Sequence, residues 1–486
     1  MMTLTELCRG LALFPEPSGS VGIHDVIYDS RQVSPGALFA AVTGFQRDGR
    51  KYIDDAVRRG AAAVLAEEAV EGCPVPVIRC DSVRRTMAQM AARFFGDPSG
   101  SLLVAGVTGT NGKTTISFLL ESVFRAAGFE PGLIGTIAYR WKGHEEAAPR
   151  TTPESADLQR MLRDMKSTGV CAVAMEVSSH ALFLDRALGI GFQAAVFTNL
   201  TRDHLDFHGT LEAYGEAKSR LFRQLRPDGV AIVNADDPAS ETVTASWKGR
   251  KVSVGFDAPA ADYRILDVRL DGPHTRFVLE RAGRRTEWGT VLWGRFNAFN
   301  AAAAAVTGLE LGLETGAVAE GILKMARVPG RMEGFVSKKG VRVVVDYAHT
   351  PDALDNVLAA LRGFTAGRVI AVFGCGGDRD RGKRPEMGRI AALRSDRVFI
   401  TSDNPRTEDP DAILTDILAG IDDASNVTSV PDREEAIRSA LDDAVRGDTV
   451  LIAGKGHEEY QEILGIRRPF NDRRTAEAHL QERGDL

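Results

Sequence analysis

The residues best suited to do chemistry form a glycine-rich turn, Thr108-Gly109-Thr110-Asn111-Gly112-Lys113-Thr114-Thr115. An apolar run at 102–107 precedes the turn and apolar residues at helical spacing follow it as far as Gly128, so it joins a strand to a helix. Such a turn leaves backbone N–H groups unpaired at a helix N-terminus, where they can bind phosphate. Lys113 could reach the terminal phosphates of a nucleotide, and the hydroxyl of Thr114 could bind Mg²⁺. The strict P-loop pattern has glycine at the position of Val107, so this turn is a variant, and a purely structural glycine turn is the alternative.

A second group of residues has the composition of a metal site. Glu176 ends an apolar run at 170–177, and a carboxylate at a strand end beside a P-loop can contact Mg²⁺ directly or through water. His204 follows the next apolar run, at 194–199. Further along, a predicted helix carries one stripe made of Tyr214, Lys218, Leu221, Phe222 and Leu225. Lys218 either extends from that stripe to the surface or is desolvated enough to add CO₂, which would make a carbamate ligand for Mg²⁺.

Polar clusters follow four apolar runs in the last third of the chain, at 346–349, 374–381, 402–406 and 454–458. Glycine, asparagine, aspartate and proline form turns, so each cluster alone is explained by turn chemistry. The carboxyl ends of parallel strands meet at one edge of a sheet, however, and ligands bind there. The arginine, histidine and glutamate residues in these clusters favour one shared binding crevice.

Periodicity predicts an α/β protein of three domains. Residues 1–100 alternate short β-like runs with helices and form an N-terminal α/β domain that ends at the turn cluster 96–100. Residues 101–331 form a central P-loop ATPase-like domain, a parallel sheet with a small antiparallel sheet at 262–293 and an alanine-rich helix after it. Residues 332–486 repeat strand–helix units and form a C-terminal Rossmann-like α/β domain.

Composition indicates an ordinary globular protein and argues against several classes. The chain has 486 residues, 44% hydrophobic and 26% charged, and a net charge of −6, so no basic field would recruit nucleic acid or a membrane. Its five cysteines include no CxxC pair, which favours free thiols over a disulfide framework or a zinc site. We expect no signal peptide and no apolar stretch of about 18 residues that could span a membrane. The expectation is a cytoplasmic protein.

Six sequence blocks occur in the order found in one protein family: 108–115 (TGTNGKTT), 175–180 (MEVSSH), 203–206 (DHLD), 297–300 (NAFN), 330–333 (GRME) and 346–351 (DYAHTP). On these blocks the chain resembles, over essentially its whole length, the Mur ligases, which are ATP-dependent amino-acid ligases of bacterial cell-wall precursor synthesis. The resemblance implies that the N-terminal domain binds a uridine nucleotide, the central domain ATP and the C-terminal domain an amino acid.

The resemblance also implies a role for each matching position. ATP would contact Gly109, Thr110, Asn111, Gly112, Lys113, Thr114, Thr115, Asn300, Arg331 and Asp346. Mg²⁺ would be held by Thr114, Glu176, His204 and Lys218 as a CO₂-derived carbamate, and the catalytic groups would be Lys113, Glu176, His204 and Lys218. A UDP-N-acetylmuramoyl dipeptide would contact Ser30, Phe45, Gln46, Thr151, Thr152, Ser178 and Arg186. Arg150 and Leu184 stand where some members have Asn and Gln, so substrate contacts at these two positions are not carried over.

The incoming amino acid would be selected in the C-terminal domain. The run Asp403-Asn404-Pro405-Arg406 resembles the signature of members that add diaminopimelate, and Arg379, Gly454 and Glu458 match other positions that hold it. A second carboxylate at the far end of that substrate suits the planar guanidinium of Arg406, and Glu458 can take an ammonium group. Lysine lacks this carboxylate and would leave Arg406 unpaired.

Three alternatives differ from this interpretation. Within the same family the alternative is a lysine-adding ligase, and comparing phosphate release with each amino acid distinguishes the two. Folylpolyglutamate synthetase shares the P-loop logic but gives no reason for the N-terminal segments 29–31 (DSR) and 43–46 (TGFQ). A nucleotide-dependent switch would leave the C-terminal arginines without a role.

The expected reaction proceeds through an acyl phosphate. A glutamyl carboxylate would attack the γ-phosphorus of ATP, and the amine of the amino acid would then displace phosphate. Lys113 and Mg²⁺ would cancel the charge of the two approaching anions. The base that deprotonates the amine is left open, with His349 a candidate, and the site would form when the C-terminal domain closes. We expect a monomer.

Overall fold

The computed structural model describes residues 2–14, 20–44, 48–271, 274–325 and 327–486, and these form three α/β parts, each with its own sheet. This arrangement confirms the predicted fold class. The domain limits at 100/101 and 331/332 stay predictions. Among the described residues, no helix is both long and apolar enough to cross a bilayer.

The N-terminal part contains β1 (Met2–Thr3), α1 (Leu4–Cys8), β2 (Gly22–Ile23), β3 (Asp25–Ile27), β4 (Ala37–Ala40), α2 (Ile53–Arg58), β5 (Ala63–Ala66), β6 (Val77–Arg79) and α3 (Val83–Phe94). Strands β3, β4, β5 and β6 pair in that order, all parallel. Every residue of β4 and β5 is buried, as expected for parallel strands covered on both faces.

The central part begins with β7 (Leu103–Thr108), α4 (Lys113–Ala126), β8 (Pro131–Ile134), β9 (Ala138–Trp141), β10 (His144–Ala147), α5 (Ser155–Ser167), β11 (Ala172–Glu176), α6 (Ser179–Phe183), β12 (Phe192–Phe197), α7 (Leu205–His208) and α8 (Leu211–Ser219). It continues with β13 (Leu225–Asn234), α9 (Ala239–Thr244), β14 (Arg250–Gly255), β15 (Tyr263–Asp271), β16 (His274–Arg281), β17 (Arg284–Thr290), α10 (Arg295–Glu310) and α11 (Thr315–Lys324). The sheet order is β10-β9-β8-β11-β7-β12-β13-β14-β15-β16-β17, so the strand before the glycine-rich turn lies inside a parallel core. The predicted antiparallel strands β15–β17 extend this same sheet.

Small side chains let α4 lie deep in the central part. All five alanines at 301–305 of α10 are fully buried, so this helix is enclosed on every side. On α11, a Cβ at Gly321 would lie 2.5 Å from Cα of Val123 on α4, so only glycine allows this approach. The helix that begins at the glycine-rich turn is therefore held rigidly from both flanks.

The C-terminal part contains β18 (Glu333–Val336), β19 (Arg342–Asp346), α12 (Pro351–Arg362), β20 (Val369–Phe373), α13 (Lys383–Arg394), β21 (Arg397–Ile400), α14 (Pro410–Leu418), β22 (Val427–Ser429), α15 (Arg433–Asp443), β23 (Thr449–Ala453), β24 (Tyr460–Ile463), β25 (Ile466–Pro469) and α16 (Asp472–Glu482). Its sheet order is β18-β19-β23-β20-β21-β22, parallel except at β18. The four polar clusters follow β19, β20, β21 and β23, as the sequence predicts.

The predicted helix through Leu225 is wrong in its last part. Helix α8 ends at Ser219, and Leu225 begins β13, where it pairs with Phe192 of β12. Strand pairing with the sheet therefore overrides the apolar stripe at helical spacing. Lys218 nevertheless lies on α8 and is buried.

A buried ion pair supports the C-terminal sheet. Arg433 and Asp472 are both fully buried, with two hydrogen bonds of 2.7 and 2.8 Å between them. The same guanidinium donates to the backbone carbonyls of Ser402 and Ala453, at the ends of β21 and β23. It thereby fixes the two strand ends that lead into the polar clusters 402–406 and 454–458.

Removing one partner of this pair should destabilise the protein strongly. Asp472→Ala leaves the Arg433 charge buried without its carboxylate, and we expect a loss of about 3–5 kcal/mol in the free energy of unfolding. Urea denaturation measures this loss. The control is Glu434→Ala, which breaks the half-exposed pair with Arg438 and should change stability little. Equal stability of the two variants would contradict the prediction.

Candidate active site

Three adjoining cavities lie where the carboxyl ends of the central and C-terminal strands face each other. The α10 cavity includes Phe256, Arg295, Asn300, Asp346 and Asp352. The P-loop cavity includes Lys113, Glu176, Asp203, His204 and Lys218. The C-terminal cavity includes Arg379, Asp403, Asn404, Arg406 and Glu458. Asn111, Gly112, Thr114 and Arg331 line both of the first two cavities, and Asp203, His204, Tyr347 and His349 line both of the last two.

The glycine-rich turn requires glycine at two positions. Gly109 has a φ of +149°, and a Cβ there would collide with Oγ1 of Thr198. Gly112 has a φ of +87°, and a Cβ there would lie 2.6 Å from Oδ1 of Asn300. The N–H groups of Thr110 and Asn111 donate to Asn199 at 2.9 and 2.8 Å, so a phosphate would use the N–H groups of the first turn of α4, which a helix leaves unpaired.

The side chain of Lys113 lines the P-loop cavity and is bonded to the glycine-rich turn. Its ammonium donates to the backbone carbonyls of Gly109 and Thr110, both at 2.8 Å. Burial lowers the pKa of Lys113, while the nearby carboxylate of Glu176 opposes the shift.

Glu176 is fully buried at the end of β11, and its carboxylate is held from three directions. The hydroxyl of Thr114 donates to it at 3.0 Å, and the backbone N–H and hydroxyl of Thr136 donate at 2.8 and 3.0 Å. Nη2 of Arg331 donates to the Thr114 hydroxyl at 3.2 Å. The predicted hydroxyl and carboxylate ligands are therefore adjacent.

His204 lies across the cavity, beside a carboxylate that the sequence analysis did not single out. Its Nε2 is 3.4 Å from Oδ2 of Asp203, and Nε2 of His349 is 3.9 Å from the same oxygen. Burial by itself would raise the pKa of Asp203, but the positive charges that His204 and His349 carry when protonated, together with those of Lys383 and Lys113, outweigh it, and the pKa lies below its ordinary value. Burial lowers the pKa of both histidines, so both are neutral at physiological pH.

Lys218 is 1% exposed, and its ammonium lies 4.0 Å from the ring centre of Tyr214. Within the described part of the chain, no carboxylate comes within ion-pair distance of it. Burial, followed by the charge of Lys113, lowers the pKa of Lys218 well below its usual range. A neutral amine is the form that reacts with CO₂.

The α10 cavity brings together the other predicted ATP residues, with Thr115, Asn300 and Asp346 in its wall. Asp346 ends β19, and its carboxylate accepts from the backbone N–H groups of Met332 and Ala348, both at 2.7 Å. The guanidinium of Arg331 lies 4.6 Å from the ring centre of Tyr347.

The residues predicted for the UDP-sugar dipeptide are divided between two parts. Thr151 and Ser178 line the P-loop cavity. Thr152 lies beside them and donates to the backbone carbonyl of Glu176 at 2.9 Å, and Arg186 lies next to it, 3.5 Å from its carbonyl. Ser30 is buried in the N-terminal part, away from the three cavities. The predicted Phe45 and Gln46 lie outside the described residues.

The C-terminal cavity holds six of the seven residues predicted for the amino acid, all except the buried Pro405. Nη1 of Arg406 donates to the carbonyl of Gly377 at 2.6 Å. Glu458 accepts from Asn404 and from Lys455, both at 2.8 Å. Gly454 has a φ of +115°, and a Cβ there would lie 2.5 Å from Oδ2 of Asp403.

Sequence reasoning missed Asp203, Lys383, Lys455 and Thr136. Asp203 and Lys455 belong to polar runs that follow strands, so their position was a usable signal. Lys383 donates to the carbonyl of His349 at 2.8 Å, from a helix whose sequence gives no sign of this contact. The contact of Thr136 with Glu176 spans 40 positions and likewise has no local signal.

Family models match the chain over most of its length. They are the Mur ligase family catalytic domain at residues 22–95, the Mur ligase middle domain at 107–308 and the Mur ligase glutamate ligase domain at 330–456. The chain belongs to the Mur ligase family, and it is an ATP-dependent ligase that forms amide bonds.

Relatives that match over the full length carry the name of one particular enzyme of the family. The chain is 46% identical to the UDP-N-acetylmuramoyl-L-alanyl-D-glutamate--2,6-diaminopimelate ligase of Solibacter usitatus and 43% identical to that of Geobacter metallireducens, with 99% of each chain covered. A solved structure of an enzyme with the same name matches at a TM-score of 0.69 and 36% identity, covering 96% of both chains. The folylpolyglutamate synthase of Mycobacterium tuberculosis, at 18% identity and a TM-score of 0.61, shares the fold over 75% of this chain.

Nucleotide binding should depend on glycine at position 112. Gly112→Ala forces a left-handed backbone on alanine, which costs about 1–2 kcal/mol, and also pushes a methyl group against Asn300. We expect the affinity for a non-hydrolysable ATP analogue, measured by calorimetry, to fall about tenfold or more.

The control is Gly143→Ala, in the turn between β9 and β10. Gly143 has a comparable φ of +73°, but a Cβ there meets nothing within 4 Å. Both variants therefore force a left-handed backbone on alanine, but only Gly112→Ala places a methyl group in the nucleotide site. Equal affinities of the two variants for the ATP analogue would refute the prediction.

Proposed function

We propose that this chain adds meso-2,6-diaminopimelate to UDP-N-acetylmuramoyl-L-alanyl-D-glutamate, with cleavage of ATP to ADP and phosphate. The observation that carries the proposal is the set of three cavities with shared walls. The α10 cavity would take the nucleotide, the P-loop cavity the phosphates with the peptide carboxylate, and the C-terminal cavity the amino acid. The names of the full-length relatives support the same substrates.

The chain's own groups would cancel charge during attack of the glutamyl carboxylate on the γ-phosphorus. Lys113 and Arg331 bring two positive charges to the walls of the P-loop cavity. Backbone N–H groups of the glycine-rich turn would hold the phosphates, and Thr151 and Ser178 would hold the peptide end. Because these groups are fixed by packing, little reorganisation is needed when the two anions meet.

Mg²⁺ fits the donors of this cavity only in part. The hydroxyl of Thr114 and the carboxylate of Glu176 are adjacent oxygen donors, and His204 lines the same cavity. Among the described residues, no three His, Cys, Asp or Glu side chains are arranged to hold a metal. When bound, Mg²⁺ would neutralise phosphate charge and position the oxygens. One further anionic oxygen ligand would complete this site.

A carbamate on Lys218 would supply that oxygen ligand. The amine is buried in the cavity wall, and burial lowers its pKa, which favours the neutral form. Among the described residues it lies beside the ring of Tyr214, with no carboxylate at ion-pair distance. Reaction with CO₂ would form an N–C bond to this amine and release one proton to solvent, so that Lys218 contributes a negative charge where the neutral amine contributes none.

Diaminopimelate would lie between Arg406 and Glu458. The guanidinium of Arg406 is anchored to the carbonyl of Gly377 and can take the distal carboxylate, while Glu458, anchored by Lys455 and Asn404, can take an ammonium group. A lysine substrate would leave Arg406 unpaired, so lysine addition is the alternative that the product mass must exclude.

His349 is the proposed base for the incoming amine. Its Nδ1 is 2.8 Å from the carbonyl of Tyr347 and therefore carries the proton. Nε2 is then free to accept a proton at the boundary between the P-loop and C-terminal cavities. Lys383 fixes the backbone carbonyl of the same residue.

We further propose a cytoplasmic monomer. Its substrates are a nucleotide, a nucleotide sugar and a free amino acid, and its five cysteines are all free thiols, which suits a reducing compartment.

The first test is the mass of the product. We expect the purified protein with ATP, Mg²⁺ and the UDP-sugar dipeptide to form a tripeptide product with diaminopimelate and little with lysine. Phosphate release should require both the dipeptide and the amino acid. ATP cleavage at full rate without either acceptor would instead support a nucleotide-dependent switch.

Arg406 should set the preference for diaminopimelate. Arg406→Ala should lower kcat/KM for diaminopimelate about 10- to 100-fold, because a charge-assisted hydrogen bond of about 1.5–3 kcal/mol is lost. The rate with lysine should stay low and nearly unchanged. The matched control is Arg467→Ala on the neighbouring hairpin, a side chain 63% exposed, which should leave both rates unchanged. A selective loss in the control and none in Arg406→Ala would contradict the assignment.

Lys218 should be replaceable by a free carboxylate. Lys218→Ala removes the proposed carbamate and should reduce turnover at least about 100-fold, and added acetate or formate should restore part of it. In the wild type, ¹³C-bicarbonate should give a carbamate carbon resonance that Lys218→Ala lacks. Unimpaired turnover of the variant would remove Lys218 from the mechanism.

A further inference from the structure

Glu154 is a buried carboxylate shared by three arginines from different segments. Its side chain is 5% exposed and lies 2.8 Å from Nη1 of Arg84, 2.7 Å from Nη1 of Arg150 and 3.0 Å from Nε of Arg186. Arg84 belongs to α3 of the N-terminal part, Arg150 to the loop before α5 and Arg186 to the loop after α6. The cluster therefore joins the N-terminal part to the central part.

Positive charge is in excess in this cluster. The neighbouring carboxylate of Asp157 accepts from the hydroxyl of Tyr28 at 2.6 Å, so the three guanidinium groups face two carboxylates, Glu154 and Asp157. Taking a cation out of water without a matching anion is costly. Arg150 is 49% exposed and partly solvated, whereas Arg84 and Arg186 are 18% and 14% exposed, so an anion that joins the cluster would meet an excess of largely desolvated positive charge.

Arg186 has donors left for such an anion. Its Nε is buried without a well-directed hydrogen bond within the described structure, although it is an ion-pair partner of Glu154. Among the residues that the structure describes, its Nη1 donates to the carbonyl of Thr152, at the long distance of 3.5 Å. The hydroxyl of Thr152 donates to the carbonyl of Glu176, and Glu176 lines the P-loop cavity. Thr152 is therefore the residue that separates the guanidinium of Arg186 from this cavity.

We propose that Glu154 is a positioning residue for the UDP-sugar dipeptide, which it serves by holding Arg186 and Arg150 toward the carboxylate of the dipeptide. Arg84 makes this arrangement depend on the docked N-terminal part. The inference rests on the proposed function, which names this substrate. A carboxylate cannot itself bind an anion, so Glu154 acts through the arginines. The proposed uridine and dipeptide subsites are then coupled through α3.

The test compares the KM values of all three substrates. Glu154→Gln keeps the side-chain size and removes the charge, and we expect kcat/KM for the UDP-sugar dipeptide to fall about 10- to 100-fold, mainly through KM. The KM values for ATP and diaminopimelate should stay within about twofold of the wild type. Glu154→Asp, which keeps the charge on a shorter side chain, should restore part of the loss.

A second variant tests the link to the N-terminal part without altering the carboxylate. Arg84→Met should raise KM for the UDP-sugar dipeptide at least about threefold and leave the other two KM values unchanged. The matched control is Arg85→Met, the next residue on α3, whose side chain is 62% exposed and 3.6 Å from Asp185. This control should behave as the wild type. Arg84→Met also decides the question if Glu154→Gln does not fold.

Product formation by the wild type, measured first, separates the outcomes. Without it, the proposed function itself fails. With it, an unchanged KM for the UDP-sugar dipeptide in a folded Glu154→Gln overturns the positioning role, as would equal rises in all three KM values. Identical behaviour of Arg84→Met and Arg85→Met overturns the dependence on the N-terminal part.

Discussion

Charge balance in the P-loop cavity is the constraint on which the surrounding structure depends. The half-buried Lys113 and the buried Lys218 face this cavity together with the buried carboxylates of Glu176 and Asp203. Ionised groups out of water are tolerated only when they are paired or when burial shifts their pKa toward the neutral form. Glu176 is satisfied by hydroxyl and N–H donors, and Lys218 is driven toward the neutral amine. The centre is therefore prepared for polyanions and metal ions.

The sheets of the central and C-terminal parts bring these groups together because the carboxyl ends of their parallel strands face each other across the cavities. Strands β7, β11 and β12 lead to the glycine-rich turn, to Glu176 and to the loop of His204. The clusters that follow β19, β20, β21 and β23 approach them from the other side, and the shared walls of the cavities are the result. Sheets buried on both faces keep the loops in place with little freedom, as catalysis between two reactants requires.

The buried strands were predictable because parallel strands covered on both faces are continuous apolar runs in the sequence, as at β7, β11 and β12. The strand β9 and the edge strand β10 beside it were not, since they carry the charged residues Arg140, Glu145 and Glu146 in place of a continuous apolar run. The glycine-rich turn, Glu176 and Lys218 were found from local patterns. Glu154 was not, because its contact with Arg84 spans 70 positions and no local pattern records it.

One contact across the parts has a thermodynamic consequence. The side-chain amide of Asn111, in the glycine-rich turn, donates at 2.7 Å to Asp352 in the first turn of α12. Both residues line the α10 cavity, so seating of this helix and filling of the cavity are linked equilibria. Coupling of this kind is reciprocal. If packing of α12 against the turn raises the affinity for a ligand by some factor, binding of the ligand favours that packing by the same factor. A ligand that contacts Asn111 or Asp352 in the α10 cavity would therefore also change how firmly the glycine-rich turn is bonded to α12.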